Sequence, residues 1–221
     1  MPSANDAAAS YCAGQNRRAP VADTRIGIFG GTFDPIHLGH LILAEEALYQ
    51  LKLDRIYLVP AGDPPHKQDR TITPVEHRIR MAELATVDSP ALWISHIDAN
   101  RPGPHYSVDM VRLLRQAVGE QATFFFLMGL DSLRDLPAWH QPQALMALVK
   151  IVVFTRPTIT IEWPTIEQAL PGLQDQVLLL KMPALEISSS TLRQRIQNGD
   201  PTRFQVPQPV AAYIQKHGLY C

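Results

Sequence analysis

From Arg25 onward, short apolar runs rich in β-branched and aromatic residues alternate with longer stretches whose apolar positions recur every three or four residues. The short runs Arg25–Phe29, Arg55–Val59, Leu92–Ile97, Thr123–Met128, Lys150–Phe154 and Gln176–Lys181 read as strands. Between them Leu38–Lys52, Pro74–Thr86, Ser107–Val118 and Gln143–Leu148 read as helices. Strand, helix and strand in repetition bury their apolar surfaces when the strands lie parallel and the helices cover both faces of the sheet. The expected fold is α/β, a doubly wound parallel sheet that binds ligands beyond the carboxyl ends of its strands.

Residues 1–24 lack this pattern. They are small, polar and aperiodic, too poor in apolar surface to offset the entropy of ordering, so a flexible extension is expected before a single domain over residues 25–221. Arg17-Arg18 is not followed by an apolar stretch, which argues against an export signal. The longest apolar run, Thr123 to Leu130, is far short of the roughly 20 residues that cross a bilayer, so membrane insertion is not expected. Twenty Lys and Arg against 21 Asp and Glu leave a formal charge of -1, with no global field to hold nucleic acid or an anionic membrane. Any phosphate must be gripped locally. The two cysteines, Cys12 and Cys221, form neither a disulfide framework nor a metal-ligand spacing, which fits a reducing cytoplasm. Prolines gather in the presumed loops, at Pro60, Pro64 and Pro65, at Pro102 and Pro104, and at Pro201, Pro207 and Pro209, so these connections should be stiff.

The segment Gly30-Gly31-Thr32-Phe33-Asp34-Pro35-Ile36-His37-Leu38-Gly39-His40 follows the first strand and opens the first helix. Its glycines let the backbone turn closely around a ligand, and the helix behind them points free N–H groups and a positive dipole end the same way, a place that favours phosphate. It lacks the Gly-Lys-Ser/Thr of a Walker loop and is not the GxGxxG dinucleotide motif. His37 and His40, three residues apart, share one side of the first helical turn, with Gly39 leaving room for a ligand between them. They can hydrogen-bond phosphoryl oxygens as charge accumulates in a transition state. A capping or packing histidine and a zinc pair are the alternatives. Zinc would need a third ligand, and the nearby candidate is Asp34.

Near the other end, Ile187-Ser188-Ser189-Ser190-Thr191-Leu192-Arg193 places hydroxyls at the start of a helix with an arginine one turn in, again suited to phosphate oxygens. A helix cap followed by a solvated arginine is the plainer reading. The first segment resembles the leading motif of the HxGH nucleotidyltransferase superfamily, and the second resembles its ISSTxxR motif, with Ser190 where Thr is usual.

Val59-Pro60-Ala61-Gly62-Asp63-Pro64-Pro65-His66-Lys67, Arg101-Pro102-Gly103-Pro104-His105-Tyr106-Ser107, Met128-Gly129-Leu130-Asp131-Ser132-Leu133, Pro137-Ala138-Trp139-His140 and Tyr213-Ile214-Gln215-Lys216-His217-Gly218-Leu219-Tyr220 together resemble the bacterial nicotinate-mononucleotide adenylyltransferases over about residues 25 to 220. The resemblance implies a Rossmann-like sheet of the nucleotidyltransferase type with a C-terminal helical segment. It also implies transfer of the adenylyl group of ATP to nicotinate mononucleotide, giving deamido-NAD and pyrophosphate in NAD synthesis. The catalytic set it implies is His37, His40 and Arg193. ATP would meet Gly30, Gly31, Thr32, His37, His40, Asp131, Ser189, Ser190 and Arg193, with Mg²⁺ arriving on ATP and no metal ligand from protein side chains. The mononucleotide would meet Lys67, Tyr106, Ser107 and Trp139, the tryptophan stacking on the pyridine ring. For Lys67 a solvated surface lysine is the competing reading, for Asp131 a helix cap, and for Trp139 a core residue. His105 stands where the family commonly has serine, which bears on nicotinate over nicotinamide preference.

An adenylyltransferase preferring nicotinamide mononucleotide or another phosphate acceptor remains an alternative, as does a nucleotide-binding protein without turnover. Neither nucleic acid nor membrane is expected as a partner, and the sequence leaves homo-oligomerisation open. Met110, Leu113, Leu114, Phe124 and Phe126 are expected in the core. Asp54, Arg55, Arg78, Arg80 and Glu83 are expected on solvated faces.

Overall fold

Successive residues of the central strands face opposite sides of one sheet, and each side carries its own apolar core. The computed structural model describes residues 24–62, 72–155, 161–183 and 185–221. Its strands are β1 (Arg25–Gly31), β2 (Arg55–Pro60), β3 (Leu92–Ile94), β4 (Thr123–Gly129), β5 (Lys150–Thr155) and β6 (Val177–Lys181). All pair in parallel, in the order β3-β2-β1-β4-β5-β6. Ile26, Ile28, Phe124, Phe126, Ile151 and Val153 enter one core, whereas Phe125, Leu127, Val152 and Phe154 enter the other. Both faces are dry, so these strands read as unbroken apolar runs rather than alternating ones.

Helices α1 (Leu38–Leu51) and α2 (Val75–Ala85) cover the second core through Ala44, Ala47 and Met81, joined by α8 (Ser189–Gln197) and α9 (Gln208–Lys216) through Leu192, Val210 and Ile214. On the opposite face lie α3 (Ser107–Val118), α4 (Leu130–Asp135), α5 (Pro142–Leu148), α6 (Trp163–Ala169) and α7 (Leu173–Gln176). A 3₁₀ turn, Leu136–Ala138, follows α4. Among the described residues no helix is long and apolar enough to cross a membrane.

From β1 the chain works outward through β2 and β3, then crosses to β4 and works outward the other way. The connections diverge between β1 and β4, opening a crevice at the carboxyl ends of those two strands. Gly30 and Gly31 end β1 there, and Gly129 ends β4.

The doubly wound parallel sheet and its C-terminal helices agree with the sequence expectation, with local differences. β3 stops at Ile94 instead of Ile97 because the buried Ser95 accepts the Ile97 N–H on its hydroxyl and turns the chain. α1 ends at Leu51, since Lys52 takes a left-handed cap conformation at φ 50°. Leu113 is 37% exposed and belongs to the outer face of α3, not the core. The expected extension falls almost wholly in residues 1–23, outside the described residues.

Candidate active site

The turn between β1 and α1 is built on a ring packed beneath it. Phe33 takes a left-handed backbone at φ 50°, and its buried ring meets Phe29 and His40 edge-on, at centroid distances of 5.7 and 5.0 Å. A Cβ on Gly31 would come within 3.0 Å of that ring, so this glycine serves close approach. Asp34 follows, 3% exposed. Its Oδ1 accepts the Tyr220 hydroxyl at 2.6 Å, and its Oδ2 accepts the Thr73 N–H at 3.3 Å. The carboxylate that sequence proximity offered as a third zinc ligand is thus committed to the protein's own donors.

His37 caps α1 and is 5% exposed. Its ring stacks on that of His40 with centroids 3.7 Å apart, so no ligand sits between them, and the sequence expectation on this point is overturned. Gly39 instead makes room for His37 itself, because a Cβ there would stand 3.0 Å from the imidazole. Burial lowers the His37 pKa to about 4, which leaves the ring neutral near pH 7, and its Nδ1 is buried without a hydrogen-bond partner among the described residues. The His37 N–H donates to Nδ1 of His40 at 3.3 Å, a bond that puts the proton of a neutral His40 ring on Nε2.

Both histidines line a cavity of about 610 Å³ that α8 and the connection before it, through Met182, Pro183 and Ile187, also line. Arg193 reaches across from α8 and donates from Nη1 to the Asp34 carbonyl at 2.7 Å, its side chain 30% exposed toward the cavity it lines. Ser188, a residue the sequence reading did not single out, is the N-cap and accepts the Thr191 N–H at 3.2 Å. Ser189 lines the cavity, while its hydroxyl donates to the Pro35 carbonyl at 3.0 Å and ties α8 to the first motif. Ser190 also lines it, 3.2 Å from the Ser188 hydroxyl. Asp131 stands on the rim in the first turn of α4, with a 97% exposed side chain 3.5 Å from Arg134; the cap of that helix is Gly129.

A smaller cavity of about 220 Å³ lies on the other side of Phe29 and Gly129, two residues that line both spaces. Gly30, Gly31, Ser107 and Trp139 line it, joined by His105 and by Asp98, the latter a residue that sequence reasoning did not place in a site. Ser107 opens α3, so the helix's unpaired N–H groups and positive dipole end lie at this cavity. Trp139 does two things at once, packing edge-on against Phe126 at 6.1 Å and presenting surface to the cavity. Tyr106 lines neither cavity; its ring stacks on His140 at 4.0 Å, beside α3. The Asp98 carboxylate accepts the Gly62 N–H at 3.0 Å, pairs with Arg101 at 2.7 Å and lies 3.4 Å from Nδ1 of His105. Lys67 lies outside the described residues.

Arg78 is the largest departure from the sequence reading. Expected on a solvated face, it is 1% exposed. Its guanidinium donates to the carbonyls of Thr32 at 2.8 Å, Gly62 at 2.9 Å and Thr73 at 2.8 Å, fastening the β1–α1 connection to both ends of the β2–α2 connection at the carboxyl end of the sheet. Burial lowers its pKa, opposed chiefly by the charge of Asp34. Thr32, through that carbonyl, belongs to the framework and lines neither cavity. Lone arginines give no periodicity signal, which is why this one was read as solvated.

The "Cytidylyltransferase-like" family model matches residues 28–195. The "Probable nicotinate-nucleotide adenylyltransferase" of Thermomicrobium roseum is 47% identical over 89% of this chain and 92% of its own length. That of Roseiflexus sp. is 44% identical over 88% and 97%. Among solved structures, the Plasmodium falciparum nicotinic acid mononucleotide adenylyltransferase complexed with NaAD shares the fold at a TM-score of 0.71 with 21% identity, covering 89% of this chain and 97% of that one. With identity of this degree running nearly end to end through curated relatives, the chain belongs to the nicotinate-nucleotide adenylyltransferase family of cytidylyltransferase-like proteins.

Proposed function

We propose that this protein joins ATP to nicotinate mononucleotide, forming deamido-NAD and releasing pyrophosphate. The observation that carries the reading is the pair of adjoining cavities, one with two histidines and an arginine, the other with a tryptophan and a helix N-terminus, meeting at Phe29 and Gly129. Such a shape suits two nucleotides whose phosphates meet at the seam. It agrees with the names of the curated relatives.

ATP occupies the larger cavity. His37, neutral, and His40, donating from Nε2, hydrogen-bond its phosphate oxygens, and Arg193 adds planar positive charge with Ser189 and Ser190 beside it. Thr32 supports the cradle only indirectly, through the bond its carbonyl accepts from Arg78, and Asp131 at the rim accepts from a ribose hydroxyl. The mononucleotide lies in the smaller cavity with its ring against Trp139. Ser107 and the adjacent N–H groups receive the ring carboxylate, with Tyr106 fixing the start of α3 and Lys67 supplying a further phosphate contact. A phosphate oxygen of the mononucleotide attacks the α-phosphorus of ATP, the bond to the β-phosphate breaks, and pyrophosphate leaves. That nucleophile is anionic near neutral pH, so positioning and charge neutralisation are the protein's tasks. Magnesium would enter with ATP as part of that substrate and offset charge on the leaving pyrophosphate. The cytoplasm is the proposed setting.

Nicotinamide mononucleotide is the second acceptor to weigh, because Asp98 lines the smaller cavity and a carboxylate accepts from an amide. Its oxygens are engaged by Gly62, Arg101 and His105, which favours the nicotinate form. Chromatographic detection of deamido-NAD from ATP and nicotinate mononucleotide tests the reading; intact substrates after incubation with active-site-saturating concentrations would refute it.

A further inference from the structure

Asp34 stands at the junction of three segments far apart in sequence. Its carboxylate accepts from Tyr220 and from Thr73, while its backbone carbonyl accepts from Arg193. The neighbouring Pro35 carbonyl accepts from Ser189, so Ser189 and Arg193, two of the α8 residues that line the larger cavity, hang on the Asp34–Pro35 turn. Tyr220 reaches that turn by taking a left-handed backbone at φ 67°, two residues after Gly218 at φ 59°. A non-glycine residue holds such a conformation where its surroundings over-determine it, and here the 2.6 Å bond to Asp34 is the tie. Burial, and next the Asp34 carboxylate, push the phenol pKa well above its ordinary range, so the hydroxyl stays a donor.

The distances expose a competition. The Asp34 Oδ2 atom lies only 3.9 Å from Nη1 of Arg193, beyond hydrogen-bond reach, although the carboxylate is buried and the guanidinium is its nearest ion-pair partner. What holds the carboxylate in place is Tyr220 on one oxygen and Thr73 on the other. We propose that Tyr220 is a positioning residue, whose hydroxyl keeps the Asp34 carboxylate from capturing Arg193 and so leaves that guanidinium available to ATP. The proposal rests on the reading of Arg193 as a ligand of ATP phosphate oxygens.

Without the phenol oxygen, Oδ1 of Asp34 loses its donor while remaining buried. An unpaired buried carboxylate seeks the nearest cation, and a small rotation brings it onto Arg193 as a close ion pair. Neutralising Asp34 removes that capture. The two substitutions therefore have opposite effects on the arginine, which a merely structural tyrosine would not produce.

The test compares Tyr220→Phe, Asp34→Asn and the double variant by titration calorimetry with magnesium-ATP and no acceptor, alongside the KM for each substrate. Tyr220→Phe should weaken ATP binding about tenfold, the scale of one charge-assisted contact, and change the mononucleotide KM by less than about twofold. Adding Asp34→Asn should recover most of the lost ATP affinity. A double variant that binds ATP no better than Tyr220→Phe, or a Tyr220→Phe protein that loses both substrates equally, would overturn the proposal. Because the calorimetry needs no turnover, absence of adenylyl transfer in the unsubstituted protein would refute the function while leaving this test standing.

Discussion

His37 and His40 lie ring on ring, 3.7 Å between centroids, and the His37 backbone N–H donates to Nδ1 of His40. One imidazole is thereby buried and neutral, and the other is oriented by the helix terminus it belongs to. The pair lines the larger cavity, so it presents a fixed set of hydrogen-bonding edges there.

His40→Ala should lower kcat by at least about a hundredfold while changing the Kd for ATP only a few-fold, because the donor acts where charge develops in the transition state. Single-turnover kinetics beside equilibrium ATP binding separate the two. Equal losses in both would make His40 a ground-state ligand only.

The His37 pKa of about 4 lies below its ordinary value of 6.5. Between those pH values the unfolded chain holds a proton that the folded chain does not, so stability rises with pH across the window and is lost on acidification from 6.5 towards 4. The contribution is on the order of 3 kcal/mol at most. Urea unfolding at a series of pH values should show a shallower slope in this window for His37→Asn than for the unsubstituted protein. Parallel curves would mean that the imidazole is not held neutral.

Arg78→Met should cost about 3 to 5 kcal/mol in denaturant unfolding, since it takes the guanidinium's bonds from three half-buried carbonyls at once and removes the buried cation that faces Asp34. Arg78→Lys keeps the charge but not the fork, so it should recover little of that loss. A lysine variant of unchanged stability would show that charge alone suffices.

Trp139→Ala should raise the KM for the mononucleotide about tenfold or more and leave that for ATP nearly unchanged, because the indole lines only the smaller cavity. Equal shifts in both constants would assign the ring to the core that it also touches.

Much of the architecture was legible because strands covered on both faces are apolar at every position, as Phe124 to Met128 illustrates, and because the intervening helices carry regular apolar stripes. The short helices α4, α6 and α7 have too few turns to show a period. At the site, His37, His40 and Arg193 were readable from motif spacing, and the structure brings them to one cavity. Asp98, Arg78 and the bond between Tyr220 and Asp34 were not, since each depends on partners that only folding brings together. Residue pairs 186 apart in sequence carry no local signal. Gly39 is a misreading of a different kind: space was rightly inferred, but the occupant is the His37 ring itself.

The most direct measurement is pyrophosphate release by the purified protein with magnesium-ATP, comparing nicotinate mononucleotide, nicotinamide mononucleotide and phosphopantetheine as acceptors. Release that is fastest by at least about tenfold in kcat/KM with nicotinate mononucleotide is the predicted result, on the scale that one well-placed polar contact provides. Release with none of the three would contradict the account, and preference for nicotinamide mononucleotide would contradict its assignment of the smaller cavity to a carboxylate.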